Sequence, residues 1–186
     1  MTDHIDVSPE LKRWAELAGY SVNPGSRTAD GRAVFWASLG EIRLLIGRNP
    51  DGWFVITDSD RMEAEQFVLA APSMTTIEKY LFGRFCLSIR SKRGLPRVRV
   101  PITADESVLH FRIATQKFEG IERFTLIASD GSTTAVGSAD RATGTAELKK
   151  LALYLIATID EIEASAVDPD GKPIFEREGQ NESRDY

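Results

Sequence analysis

Glu41-Ile42-Arg43-Leu44-Leu45-Ile46-Gly47, Asn49-Pro50-Asp51-Gly52 and Trp53-Phe54-Val55-Ile56-Thr57 together decide the fold. In the first run Ile42, Leu44 and Ile46 fall on one face of an extended chain, while Glu41 and Arg43 fall on the other. The Asn-Pro-Asp-Gly run is turn chemistry: proline presets φ, glycine admits a positive φ, and Asn and Asp bond their own backbone. The third run is β-branched and aromatic, as strands favour. So short a connection between strands requires an antiparallel pair.

The pattern extends in both directions. Ala33–Ser38 reads as a preceding strand, joined through Leu39-Gly40. Asp58-Ser59-Asp60 is expected to break the strand that starts at Trp53, and Gln66–Ala70 is a fourth strand. Upstream, Ser8-Pro9-Glu10 supplies a hydroxyl cap, proline at the first helical position and an acid in the first turn. Leu11, Trp14, Ala15 and Ala18 follow at helical spacing before Gly19, and residues 23–31 form a loop. Downstream, Pro72-Ser73 opens a long helix over about 74–92 with Thr75 and Glu78 at capping-box spacing. Its apolar stripe is Met74, Ile77, Leu81, Phe85 and Ile89, and Gly94-Leu95-Pro96 ends it.

The second half repeats the plan. Leu109–Ala114, Phe124–Ala128 and Thr133–Val136 are expected strands, with turns at Glu119-Gly120 and Ser129-Asp130-Gly131. A helix over about 146–163 follows, its stripe running Leu148, Leu151, Ala152, Leu155, Ile156, Ile159 and Ile162. The repeat is either a degenerate duplication or two similar pieces arising by chance. The expected fold is α+β: two antiparallel β-meanders with helices packed against them, about seven strands and three main helices. One domain spans residues 1–175, and a disordered acidic tail spans 176–186.

Composition bounds the function. The chain has 186 residues, 42% apolar and 27% charged, with a formal net charge of −5. That is ample for one buried core. Nine acids and three bases fall between residues 160 and 186, so the acidity belongs to the end of the chain and the body is near neutral. This balance disfavours a general nucleic-acid binder. The longest apolar stretch is the nine residues 151–159, interrupted by one threonine, whereas a bilayer span needs roughly 20. The acidic start has no apolar run of the secretory kind. With a single cysteine as well, a cytoplasmic protein is expected, without membrane contact.

Catalytic chemistry finds little support in the residues. Cys86 sits mid-helix between Phe85 and Leu87 and reads as a small buried hydrophobe. The histidines, His4 and His110, are far apart and give no zinc spacing. Asp168-Pro169-Asp170-Gly171 resembles a piece of a calcium loop, yet Gly179 stands where the bidentate glutamate belongs, so a turn is expected. Asp58, Asp60, Glu63 and Glu65 read as a solvated acidic turn rather than paired catalytic carboxylates. No catalytic residue, metal site or cofactor is therefore expected.

Residues 79–104 contain no acid but carry Lys79, Arg84, Arg90, Lys92, Arg93, Arg97 and Arg99. Cations suit a helix C-terminus, but seven exceed what a helix dipole needs. Phosphate of a nucleotide, bound through 84–99, or an acidic partner such as the chain's own tail would both account for them.

Several segments are distinctive beyond their periodicity: Gly52-Trp53-Phe54-Val55-Ile56-Thr57-Asp58-Ser59-Asp60-Arg61-Met62, Ala70-Ala71-Pro72-Ser73-Met74, and Ile77-Glu78-Lys79-Tyr80-Leu81-Phe82-Gly83. With Ser88-Ile89-Arg90-Ser91, Leu95-Pro96 and Asp170-Gly171-Lys172-Pro173-Ile174-Phe175, they resemble the actinobacterial immunity protein family 61. The likeness spans about residues 5–175 and is densest over 30–101. It implies an antitoxin, not an enzyme. Such a protein binds the catalytic domain of a cognate secreted toxin, an NAD glycohydrolase, and blocks its NAD site. It is expected to be a monomer that forms a one-to-one complex. Toxin-facing surfaces in such a family diverge to fit their own toxin, so the expected contacts are polar strand and turn positions: Arg43, Asp58, Asp60 and Arg61. A nucleotide-binding protein or enzyme, and a secretion chaperone that binds the toxin without inhibiting it, are the competing functions.

Overall fold

The computed structural model describes residues 5–22, 30–61, 63–101, 104 and 110–179. Helix α1 (Pro9–Ala18) starts as its sequence dictates: the Ser8 hydroxyl accepts from the Leu11 N–H at 3.3 Å, and Gly19 closes the helix at φ +94°. Leu11, Trp14, Ala15 and Ala18 are buried. The Trp14 indole donates to the Phe82 carbonyl at 3.0 Å, tying α1 to helix α2 (Met74–Lys92).

The strands are β1 (Ser21–Val22), β2 (Ala33–Ala37), β3 (Ile42–Arg48), β4 (Phe54–Asp60), β5 (Gln66–Ala71), β6 (Val98–Arg99), β7 (Phe111–Phe118), β8 (Ile121–Ala128), β9 (Thr133–Val136) and β10 (Glu176–Arg177). Eight of them form one sheet in the order β1-β2-β3-β4-β5-β9-β8-β7, every neighbouring pair antiparallel. The two meanders are thus halves of a single sheet. They join where Ala70 of β5 faces Val136 of β9. Helix α2 lies between these strands in the chain, so the junction is long-range. The α+β class holds, with four α-helices among the described residues and a second, two-stranded ladder of β6 with β10.

One face of the sheet carries the core. Phe35, Leu44, Ile46, Ile56, Leu69, Ala71, Leu126 and Ala135 alternate inward and pack against Ile77, Leu81, Phe85, Leu148, Leu151 and Ile162 of the helices. Where α2 crosses helix α3 (Arg141–Ile156), a side chain on Gly83 would meet the Tyr154 ring at 2.1 Å, so only glycine allows that approach.

Several expectations are corrected. Asp58-Ser59-Asp60 does not break β4, because β3 supplies ladder partners Leu44, Arg43 and Ile42 for all three. The helix expected over 146–163 is two: α3, and α4 (Ile159–Val167). Thr158 stops the run by building a capping box, its hydroxyl accepting from the Glu161 N–H at 3.2 Å while Glu161 accepts from the Thr158 N–H at 2.7 Å. The break takes Ile156 out of the stripe and leaves it 52% exposed. Glu78 does not box with Thr75. Ser73 caps α2, and Glu78 accepts from the Ser8 N–H at 2.7 Å, joining two helix starts. His110 precedes β7, in a left-handed conformation (φ +56°), rather than lying within a strand. Glu176 and Arg177, assigned to the tail, form the ladder with β6. Residues 180–186, like Leu109 and His4, lie outside the described residues.

Candidate functional site

A polar stripe runs beside the apolar one on each long helix. Tyr80, Arg84, Ser88 and Ser91 recur every three or four residues on α2, as do Thr143, Glu147, Lys150 and Tyr154 on α3. The two stripes face a cleft of about 580 Å³, closed on the sheet side by Asp58 of β4 and by β5. Asp58 shares a face with buried Ile56, so it points toward the helices, and Arg84 meets it at 3.1 Å. Glu147 accepts from the Tyr80 hydroxyl at 3.1 Å and pairs with Lys150 at 2.8 Å. Burial pushes the Tyr80 phenol above its usual range, and does so more strongly to Tyr154, whose buried hydroxyl has no hydrogen-bond partner among the described residues. Both stay neutral at physiological pH. The acids and bases of the cleft are spent on one another, which makes it a cross-brace between sheet and helices.

Arg43, Asp60 and Arg61 lie elsewhere, exposed at one end of the sheet. Arg43 sits opposite Ser59, Asp60 opposite Ile42, and the Arg61 N–H donates to the Glu41 carbonyl at 2.8 Å. Next to them, a single 3₁₀ turn (Ser38–Gly40) connects β2 to β3. Leu39 at its tip is fully exposed, and Ser38, Leu39 and Arg61 all adopt positive φ, a conformation costly for residues with a side chain. The fold therefore places three of the four expected contact residues at the sheet end beside a protruding leucine; by alternation Asp60 shares the helix-side face with Asp58, whereas Arg43 faces away from the helices. The acidic run is dispersed: Glu65 is held by Arg32 at 2.6 Å and by the Thr57 hydroxyl at 2.7 Å, and both bonds keep its carboxyl below the usual range.

The basic run is dispersed too. Arg84 belongs to the cleft. Arg90 is buried and donates to the carbonyls of Ser165 (2.6 Å), Pro96 (3.0 Å), Pro169 (3.0 Å) and Asp168. Lys79 donates to the Ala157 carbonyl, and Arg99 lies 3.7 Å from Glu176. A phosphate-binding face over 84–99 loses its central residue to the interior, while the acidic tail meets the run at Arg99. Cys86 is buried and its thiol is pushed up to about 12 by that burial, so it stays protonated and behaves as a small hydrophobe. The Asp168 carboxylate accepts from the Asp170 and Lys172 N–H groups at 2.9 and 3.0 Å, which makes the calcium-like segment a self-bonded turn. Among the described residues no cluster of His, Cys, Asp or Glu could hold a metal ion, and no helix is long and apolar enough to cross a membrane.

Neither the cleft partners Tyr80, Glu147, Lys150 and Tyr154 nor Leu39 stood out in the sequence. The polar stripes on α2 and α3 were readable. That they face one another was not.

With this geometry in hand, the class of protein follows from comparison. The sequence profile of the family described as Immunity protein 61 matches residues 14–174, and the chain belongs to that family. Among individual relatives, "Immunity factor for TNT" from Mycobacterium tuberculosis is 43% identical over 175 residues, covering 94% of this chain and 96% of the relative. "Immunity factor for TNT homolog" from Mycobacterium bovis matches equally. The solved structure of Rv3902c from M. tuberculosis superposes with a TM-score of 0.83 at 41% identity, covering 95% of this chain and 98% of that one.

Proposed function

We propose that this immunity protein neutralises a secreted toxin that hydrolyses NAD, by binding the toxin's catalytic domain and denying NAD its site. The observation that carries this reading is the 43% identity, over 94% of the chain, to an immunity factor for TNT. That the toxin is an NAD glycohydrolase is what the resemblance of the Gly52–Met62 and Ile77–Gly83 segments to the family implies. Neutralisation by occupancy needs no chemistry from this chain. It needs a surface of standard size, about 1,600 Å² in total. It also needs tight binding, because one free toxin molecule destroys many NAD molecules; a nanomolar complex corresponds to about −12 kcal/mol. The sheet end with Arg43, Asp60 and Arg61 around Leu39 is part of that surface in this reading, and Asp58 supports it from behind through Arg84. The protein acts as a monomer in the cytoplasm, one copy per toxin domain.

The test mixes this protein with the toxin domain encoded beside it and follows NAD. NAD is expected to persist once the two are equimolar. Undiminished hydrolysis at a molar excess sinks the reading. A complex that forms but still hydrolyses NAD would make the protein a carrier of the toxin rather than its inhibitor.

A further inference from the structure

The sheet face turned away from the helices has a chemistry of its own. Alternation and register place Arg43 of β3, Phe67 of β5, Arg123 and Ile121 of β8, and Arg112 and Phe118 of β7 on it. The β7–β8 hairpin curls over this face. The Asn49 side-chain amide donates to Glu119 at 3.0 Å, and the Phe118 ring lies 5.3 Å from Trp53 and 6.1 Å from Phe67, centroid to centroid. On this aromatic floor the Arg123 guanidinium lies 3.8 Å above the Phe67 ring centroid.

The charges of this face are unevenly matched. Among the described residues, none of Arg43, Arg112 and Arg123 makes an ion pair, and the Arg123 Nε is buried without a hydrogen-bond partner. Two carboxylates near the face are already engaged: Glu65 by Arg32 and Thr57, Glu119 by Asn49. Burial disfavours the Arg123 charge and lowers its pKa, only partly opposed by Glu119. An arginine seated over an aromatic ring, short of counter-charge and next to Trp, Phe and a 48%-exposed Ile121, has the composition of a protein-binding centre. Pinned in place, it loses little freedom on docking.

We propose that this face docks an acidic segment of the toxin's catalytic domain, with Arg123 on Phe67 as the anchor and Arg43 and Arg112 meeting further carboxylates along the sheet. The inference rests on the neutralisation reading and adds the surface and its chemistry. A nucleic acid would also supply negative charge, but the chain's net charge of −5 opposes it.

Binding of the full chain to the toxin domain encoded beside it, measured by biolayer interferometry at two salt concentrations, tests the inference. Arg123→Glu and Ile121→Asp are each expected to weaken binding about tenfold or more, and Arg123→Glu to flatten the salt dependence of association. Lys149→Glu, exposed on α3 outside the cleft, is expected to change affinity by less than about twofold. Circular dichroism identifies any variant that fails to fold, and Ile121→Asp stands on its own if Arg123→Glu does. Wild-type affinity in both folded open-face variants overturns the inference and leaves neutralisation intact. A wild-type protein that does not bind the toxin domain overturns both. Binding of a DNA oligonucleotide that Arg123→Glu abolishes, with toxin binding unchanged, overturns it in favour of nucleic acid.

Discussion

Arg90 shows how far one residue's role departs from its place in the sequence. It stands among seven cations without an intervening acid, which reads as a solvated or phosphate-facing run. Its side chain turns inward instead and fills the acceptors of four carbonyls, from the end of α4, the turn after it and Pro96. These carbonyls come from segments up to 79 residues away, so no local pattern announces them. A guanidinium can do this because its five donors lie in one rigid plane. Arg90→Ala leaves several buried carbonyls without donors and is expected to destabilise the fold by about 3 kcal/mol, read from urea denaturation. A loss below about 1 kcal/mol would show that water replaces the guanidinium. The Cys86 position was legible, by contrast, because its neighbours already placed it on a buried helix face.

Elements were legible where the local signal and the tertiary demand agreed. Helix α1, with Ser8, Pro9 and Gly19, and the β3–β4 hairpin at Asn49–Gly52 are where the residues alone place them. Boundaries failed where a partner strand or a cap competed with periodicity. β4 runs through Asp58-Ser59-Asp60 because β3 offers it hydrogen bonds, which outweigh the turn preference of Asp and Ser. The apolar stripe ran unbroken across Ala157-Thr158, yet the Thr158–Glu161 box starts a new helix there. Thr158→Ala removes the hydroxyl that holds the Glu161 N–H. It is expected to cost about 1 kcal/mol. Faster amide exchange confined to residues 159–167 would locate the loss in α4, whereas unchanged exchange would mean that packing of Ile162 alone fixes the helix start.

For the molecule as a whole, acid sensitivity follows from carboxylates that the fold holds ionised. Glu65 is lowered from 4.5 chiefly by Arg32 and then Thr57, Glu161 from 4.5 by the Thr158 N–H, and Asp168 from 3.8 by the Lys172 N–H. Each binds its proton less readily folded than unfolded. Their contribution is therefore complete above these ordinary values and is lost as pH falls through the lowered folded ones. The urea midpoint is expected to be level from neutrality to about pH 5 and to fall below about pH 4, with a smaller fall in Glu65→Gln. A midpoint that is flat into strong acid would contradict this. The sequence by itself determined the α+β class, the two meanders, the starts of α1 and α2 and the family, because alternation, helical period, caps and turns act over a few neighbouring residues. Only the tertiary structure decided that the meanders fuse at Ala70 and Val136, that Asp58 turns toward Arg84 while Arg43 faces outward, and that Arg123 lies on Phe67. Those relations join residues 26 to 66 positions apart, and only the packing of the whole sheet against its helices fixes which of them meet.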